Sequence, residues 1–206
     1  MKKTITIIDY GLGNILSIQN AIKYLGHKTI LTSDPKIIQK NNILILPGVG
    51  SFNDAMKKLN KLKITDAIKK NIEINKGKIL GICLGMQLLA KKGTENGHIE
   101  GLGLIDGTIV GLEKISKKVL PHIGFNLVKT NYNDGMFKNI DKNKYFYFVH
   151  SYFFLPNKKN SNFNYSYCSY GKKFISSFEN RQVLGTQFHP EKSQTNGLKL
   201  LKNFID

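Results

Sequence analysis

The stretch Lys78-Ile79-Leu80-Gly81-Ile82-Cys83-Leu84-Gly85-Met86-Gln87-Leu88 decides how this chain is read. Lys78 to Ile82 is a short apolar run, and Leu84 to Ala90 follows with helix-forming residues. The pattern predicts a buried strand that turns directly into a helix. Cys83 stands at the turn, with Gly81 and Gly85 two residues to either side. In a bend that sharp the flanking side chains collide, which glycine avoids. The bend pushes the sulfur above the carboxyl edge of the sheet, where open α/β folds bind ligands. The start of the following helix directs free N–H groups and a positive dipole end at the sulfur and so favours thiolate over thiol. An unassisted thiol with a pKa of about 8.5 is only a few per cent ionised at neutral pH, so that help matters for a nucleophile. The bland alternative is a buried packing cysteine. Cys168, between Tyr167 and Ser169 with no glycine frame, is read that way.

Working outward, the first half alternates short β-branched runs with helical stretches, which leads to a parallel sheet covered by helices. Thr4 to Ile8 is a strand, and Asn14 starts a helix whose stripe of Ile15, Ile18, Ile22 and Leu25 stops at Gly26. A short strand at Ile30 and Leu31 precedes Asp34-Pro35, which opens another helix, and Ile43 to Leu46 is a strand that ends in Pro47-Gly48-Val49-Gly50. Helices follow near Phe52 to Leu59 and Ile64 to Ile74. The second half is mostly strand-like, around Thr108 to Leu112, Phe125 to Lys129, Tyr145 to Val149, Tyr165 to Ser169, Phe174 to Phe178 and Val183 to Phe188. A last helix near Gly197 to Ile205 carries Leu198, Leu201, Phe204 and Ile205 inward. The expectation is an α/β three-layer sandwich with a mainly parallel central sheet flanked by helices, plus antiparallel strands in the second half. With 206 residues and no divided linker, one domain over residues 1–206 is expected.

The formal net charge of +17 raises the question of nucleic acid or an anionic membrane. Arg181 is the only arginine, however, and arginine is the side chain whose planar fork reads phosphates and base edges. The lysines lie along ordinary helix faces, as at Lys57, Lys58, Lys61 and Lys63 or Lys69 and Lys70, and read as solvated surface. The skew toward Lys, Asn and Ile is one that an AT-rich genome imposes on any protein, so neither nucleic acid nor membrane is expected as a partner. After Met1-Lys2-Lys3 the apolar run ends at Asp9, too short for the ~7–15 residues of a secretory core. No stretch approaches the ~18 apolar residues of a membrane span. A cytoplasmic location is expected, where isolated cysteines are catalytic or buried rather than bridged.

A thiol nucleophile needs a base, and the base needs an orienting acid. Gln187-Phe188-His189-Pro190-Glu191 supplies both. Residues two apart in an extended segment project to one side, so His189 and Glu191 are spaced to serve one site. Alone, such a pair is more often ordinary surface; beside the Cys83 elbow it becomes a candidate. Pro47-Gly48-Val49-Gly50 aims backbone N–H groups at a developing oxyanion, with the N–H of Leu84 as second donor, or is merely a tight turn.

Together these elements resemble the class I, or triad, glutamine amidotransferases, in which the G-x-C-x-G cysteine and the H-P-E histidine and glutamate hydrolyse glutamine and a P-G-x-G loop forms the oxyanion hole. The resemblance covers nearly the whole chain. Asp9-Tyr10-Gly11-Leu12-Gly13-Asn14, Pro121-His122-Ile123-Gly124-Phe125-Asn126, Tyr147-Phe148-Val149-His150-Ser151-Tyr152 and His189-Pro190-Glu191-Lys192-Ser193 are similar to the glutaminase subunits of imidazole glycerol phosphate synthases. That likeness implies L-glutamine as substrate, with Cys83, His189 and Glu191 catalytic and Gly50 and Leu84 framing the oxyanion. It implies that Gln87, Ser151 and Tyr152 hold the substrate. It also implies a heterodimer with a (β/α)8 cyclase that receives ammonia through a channel, with Asn14, Phe125, Tyr147 and Lys192 at the interface or gate, and low activity in isolation. No metal or organic cofactor is expected. Phe125 departs from the usual tryptophan, which keeps an aromatic face but loses the indole N–H toward the partner. The competing readings are a triad glutaminase of another pathway and an inactive regulatory paralogue.

Overall fold

The alternating half of the chain folds as β1 (Thr4–Ile8), α1 (Ile15–Tyr24), β2 (Lys28–Thr32), α2 (Pro35–Lys40), β3 (Ile43–Leu46), α3 (Phe52–Lys61), α4 (Ile64–Glu73), β4 (Lys78–Ile82) and α5 (Leu84–Leu88). The second half adds β5 (Ala90–Gly93), β6 (Ile99–Glu100), β7 (Ile105–Gly111), β8 (His122–Leu127), β9 (Lys129–Thr130), β10 (Tyr145–His150), β11 (Tyr152–Pro156), β12 (Asn164–Tyr170), β13 (Lys172–Glu179), β14 (Val183–Thr186) and a closing α6 (Gln194–Ile205). These elements come from a computed structural model that describes residues 2–95, 97–140, 144–157 and 162–206, so Met1 of the basic start lies outside them.

Local chemistry sets the boundaries near the site. The Asp34 carboxylate accepts from the Lys36 N–H and Pro35 occupies the first turn of α2. Ser51, directly after Gly50, caps α3 by accepting from the Asp54 N–H at 3.2 Å.

Five strands lie parallel in the order β2-β1-β3-β4-β14, and the sheet continues antiparallel through β13, β11 and β7 before β5 and β6 close that edge. β8 and β10 form a separate antiparallel pair. The parallel half is what the continuous apolar runs predict; the antiparallel extension is the strand-rich second half.

Both sheet faces are covered. Ile5, Ile7, Ile45, Leu80 and Ile82 pack with Ile18 and Ile22 of α1 and with Leu200, Leu201, Phe204 and Ile205 of α6. On the other face Ile8, Leu44, Leu46 and Ile79 pack with Phe52, Met56 and Leu59 of α3 and Ile64 and Ile68 of α4. Each fully buried side chain of this size contributes about 1.5–3 kcal/mol, which makes the three-layer arrangement stable around the strands that carry the site.

Two expectations are corrected. The helix after Cys83 ends at Leu88 rather than Ala90. The N–H groups of Leu102 and Leu104 bond to the carbonyls of Leu88 and Leu89, and Ala90 pairs with Ile105, so sheet pairing takes the chain from helix into β5. Pro190–Lys192 is a single 3-10 turn rather than an extended segment.

The elbow glycines are under steric demand. A Cβ on Gly81 would lie 2.6 Å from the Gly85 carbonyl oxygen, and one on Gly85 would run into the Leu46 carbonyl oxygen. Because those neighbours are backbone, Gly85→Ala is expected to lower stability by about 1–3 kcal/mol, read as a fall in the urea midpoint. An unchanged midpoint would mean that β3 and α5 are not in contact as described.

Candidate active site

Three loops meet at the carboxyl ends of three adjacent parallel strands. β4 pairs with β3 on one side, Gly81 opposite Leu46, and with β14 on the other, Ile82 opposite Thr186. The chain therefore leaves β3 as Pro47-Gly48-Val49-Gly50, leaves β4 as Cys83 and leaves β14 as Gln187-Phe188-His189, all at one edge. The Cys83 N–H donates to the Thr186 carbonyl at 2.7 Å, which ties the elbow to the segment that carries His189.

Cys83 has φ 55° and ψ −112°, a backbone conformation that costs a non-glycine residue on the order of 1–3 kcal/mol. Packing holds it there, as the elbow reading requires. The sulfur is almost covered, with Cys83 only 7% exposed. Its neighbours are the Val149 carbonyl at 3.7 Å and the Gln187 Nε2, which donates to the sulfur at 3.8 Å. Since α5 spans only five residues its dipole is small. Its first N–H, on Leu84, still has no intrahelical partner.

His189 Nδ1 lies 2.8 Å from Glu191 Oε1, both side chains being almost wholly buried. A carboxylate only accepts, so Nδ1 carries the proton and Nε2 is left as the acceptor. Nε2 is buried and has no hydrogen-bond partner of its own apart from the influence of the Cys83 thiol. Burial alone opposes an imidazolium, but interaction with Cys83 and then with Glu191 outweighs it, raising His189 to about 10. The imidazole is thus poised to take the thiol proton. Cys168, by contrast, is a buried thiol pushed up to about 11 by burial, as a packing residue would be.

The Pro47–Gly50 loop is held from beneath. The Tyr10 hydroxyl donates to the Pro47 carbonyl at 2.9 Å, and burial, then the nearby Cys83 charge, raises its pKa. Gly50 has φ +98° and lies exposed with Val49 over the site, followed at once by the capped α3.

The expected substrate residues also converge here, with commitments of their own. Gln87 Nε2 donates to the Tyr152 carbonyl at 3.1 Å and to Gln187 Oε1 at 2.9 Å, so both its N–H donors are used. The Ser151 carbonyl accepts from the Leu112 N–H at 2.8 Å. Tyr152 begins β11.

The four expected interface residues fall on one side. Phe125 and Tyr147 are cross-strand neighbours on β8 and β10 with ring centroids 5.5 Å apart, and Phe125 is 46% exposed. Lys192 places its ammonium 5.9 Å from the Tyr147 ring centroid. Asn14 stands directly before α1 without a side-chain bond to the helix backbone, its Oδ1 accepting instead from the Ser17 hydroxyl, and α1 packs against the Pro190–Lys192 turn.

Several residues escaped the sequence reading. Ser193 donates to the His189 carbonyl at 2.6 Å and accepts from the Tyr147 N–H at 2.9 Å, pinning β10 to the base loop. Gln187 reaches the sulfur, and the period of two that selected Glu191 would also have set Gln187 beside His189. Glu95 accepts from the Phe52 N–H at 2.7 Å just behind Gly50, a contact with no local sequence signal. Among the described residues no group of three or more metal-ligating side chains occurs.

The family described as glutamine amidotransferase class-I matches residues 6–206. Imidazole glycerol phosphate synthase subunit HisH 1 of Parasynechococcus marenigrum is 48% identical over 205 residues, which cover 98% of this chain and 96% of the relative. The HisH subunit of Caldanaerobacter subterraneus is 46% identical over 201 residues, covering 97% and 96%. Among solved structures, PurLQS of Thermotoga maritima matches with a TM-score of 0.76 over 100% of this chain and 98% of that one, at 19% identity, which is a likeness of fold.

The raised His189 value, held up by Cys83 first and Glu191 second, contributes stability that is fully present below the ordinary histidine pKa of about 6.5 and is lost as pH rises through about 10. Between pH 7 and 10 the urea midpoint should fall more steeply for the parent than for Glu191→Gln. Identical slopes would place the carboxylate outside the imidazole's reach.

Proposed function

Because the chain belongs to the class-I glutamine amidotransferase family, we propose that it is the glutaminase subunit of an imidazole glycerol phosphate synthase, making ammonia for histidine biosynthesis. The observation that carries this reading is the thiol, imidazole and carboxylate gathered at the ends of β4 and β14, in a chain nearly half identical to a HisH subunit over almost its full length.

The chemistry is acyl transfer. His189 Nε2 takes the proton of Cys83, and the thiolate attacks the side-chain amide carbon of glutamine. The N–H groups of Gly50 and Leu84 stabilise the oxyanion, and His189 returns its proton to the departing ammonia. Water, deprotonated by the same imidazole, cleaves the thioester; glutamate leaves and the thiol is restored. Glu191 keeps the proton-bearing Nδ1 turned toward itself, so Nε2 always faces the reaction. Gln87, bonded to the Tyr152 carbonyl, positions the amide together with Ser151 and Tyr152.

Ammonia protonates in water and is lost as a nucleophile, so the site must deliver it directly to its acceptor. The exposed aromatic face of β8 and β10 lies against the base loop through the Tyr147–His189 bridge. We place the (β/α)8 cyclase on that face, with Asn14, Phe125, Tyr147 and Lys192 at the seam and a channel leading to the acceptor. No helix among the described residues is long and apolar enough to cross a membrane. The near-complete burial of Cys83 and His189 supports low turnover in isolation, rising when the liganded partner moves the Val49-Gly50 peptide.

Cys83→Ala should lower glutamate release at least about a thousandfold in the complex while leaving the cyclase able to use added ammonia. Parent activity should rise on adding the cyclase with its nucleotide. Equal turnover with and without the liganded partner would overturn the coupling.

A further inference from the structure

Behind the exposed face of β8 and β10 lies a chain of polar side chains, its two histidines buried, that the acyl-transfer steps do not use. Asn126 Nδ2 is 2.8 Å from His122 Nε2, His122 Nδ1 is 2.9 Å from His150 Nε2, and His150 Nδ1 is 2.8 Å from the Tyr152 carbonyl oxygen. The chemistry of its two ends fixes the protons independently. At one end an amide nitrogen only donates, so His122 Nε2 must accept and its proton sits on Nδ1. At the other a carbonyl only accepts, so His150 carries its proton on Nδ1 and accepts at Nε2. The two requirements agree at the central bond, where His122 Nδ1–H meets the His150 Nε2 lone pair.

We propose that Asn126, His122 and His150 are positioning residues: a one-directional hydrogen-bond relay that fixes the Tyr152 carbonyl and, through it, the Gln87 amide that meets the substrate. The Tyr152 carbonyl receives His150 Nδ1–H from one side and Gln87 Nε2–H at 3.1 Å from the other, so both its lone pairs are filled. Gln87 also bonds Gln187, which donates to the Cys83 sulfur, and the path from the β8 strand ends at the nucleophile. The surroundings keep the relay in one state. His122 is fully buried and stacked between Phe148 and Tyr170, with centroids 4.8 Å and 4.2 Å away. Burial, then the Lys118 charge, pulls His122 down to about 4. Burial, with the His122 and His189 charges, pulls His150 down to about 3 against the opposing bond to Tyr152. Each ring therefore holds one proton at neutral pH and has one donor and one acceptor to offer. The sheet also joins this relay to the surface: His122 and Asn126 share β8 with Ile123 and Phe125, which are 57% and 46% exposed. A shift of that strand moves the Tyr152 carbonyl as well.

The inference rests on the glutaminase reading, and its test separates the two. In the full-length protein labelled with 15N-histidine, with His122 and His150 assigned by substitution, both rings at pH 7 should show a protonated Nδ1 and a bare Nε2, the less common neutral tautomer. An Nε2–H ring or an imidazolium at either position would overturn the relay. His122→Phe keeps the ring stack but removes both nitrogens. In the complex with the cyclase it should raise KM for glutamine about tenfold, the effect of losing a buried hydrogen-bond anchor, with kcat changed less than about threefold. A pair that served packing alone would lower the unfolding midpoint and leave KM within about twofold, and that result would also overturn the proposal. If His122→Phe does not fold, Asn126→Ala removes the fixed donor from a half-buried strand position and is read by the same KM criterion. Absence of glutamine turnover in the parent complex would count against the functional assignment, while the nitrogen shifts decide the relay by themselves.

Discussion

The backbone of Cys83, held at φ 55° and ψ −112° between β4 and α5, is the constraint on which the site depends. A side chain in that region is strained by on the order of 1–3 kcal/mol, and only close packing on both sides can keep it there. Gly81 and Gly85 permit that packing: the elbow touches itself through Gly85 and Met86 and touches the end of β3 through Leu46. Relaxing the bend would turn the sulfur away from both the base and the glycine loop. The parallel sheet then does the rest, because neighbouring strands in register deliver their loops to the same edge without any direct attraction between the catalytic groups.

Around that elbow the polar contacts are arranged so that each group has one direction to face. Glu191 takes the proton-bearing side of His189 and leaves the other nitrogen to the thiol. Ser193 joins the base loop to β10, and Tyr10 secures Pro47 beneath the glycine loop. The second sheet is therefore part of the site although it contributes no acid, base or nucleophile. It encloses the sulfur with the Val149 carbonyl and presents an exposed aromatic face on its outer side.

The sequence made the parallel half legible because its strands are buried on both faces and read as unbroken apolar runs. The elbow was legible because its steric requirement falls on residues adjacent in sequence. The His189–Glu191 pair was found, although the geometry that joins them is a 3-10 turn rather than the extended segment the period of two assumed. The end of α5 was misplaced since pairing of Ala90 with Ile105 is a long-range interaction that no local propensity reports. The bonds of Ser193 to Tyr147, of Glu95 to Phe52 and of His122 to His150 were missed for the same reason, since their partners lie far off in the chain, whereas Gln187 was within reach of the period of two. The exposed lysines at Lys57, Lys58, Lys61 and Lys63 lie on the outer faces of α3 and its connection, as a solvated charge run should.

The most direct test of the central claim is covalent labelling with a glutamine analogue that bears a diazoketone in place of the carboxamide, followed by mass spectrometry of the digested protein. The account predicts one adduct, on Cys83, competed by glutamine and lost in His189→Ala. Labelling that falls on Cys168, or that proceeds equally well without His189, would contradict it.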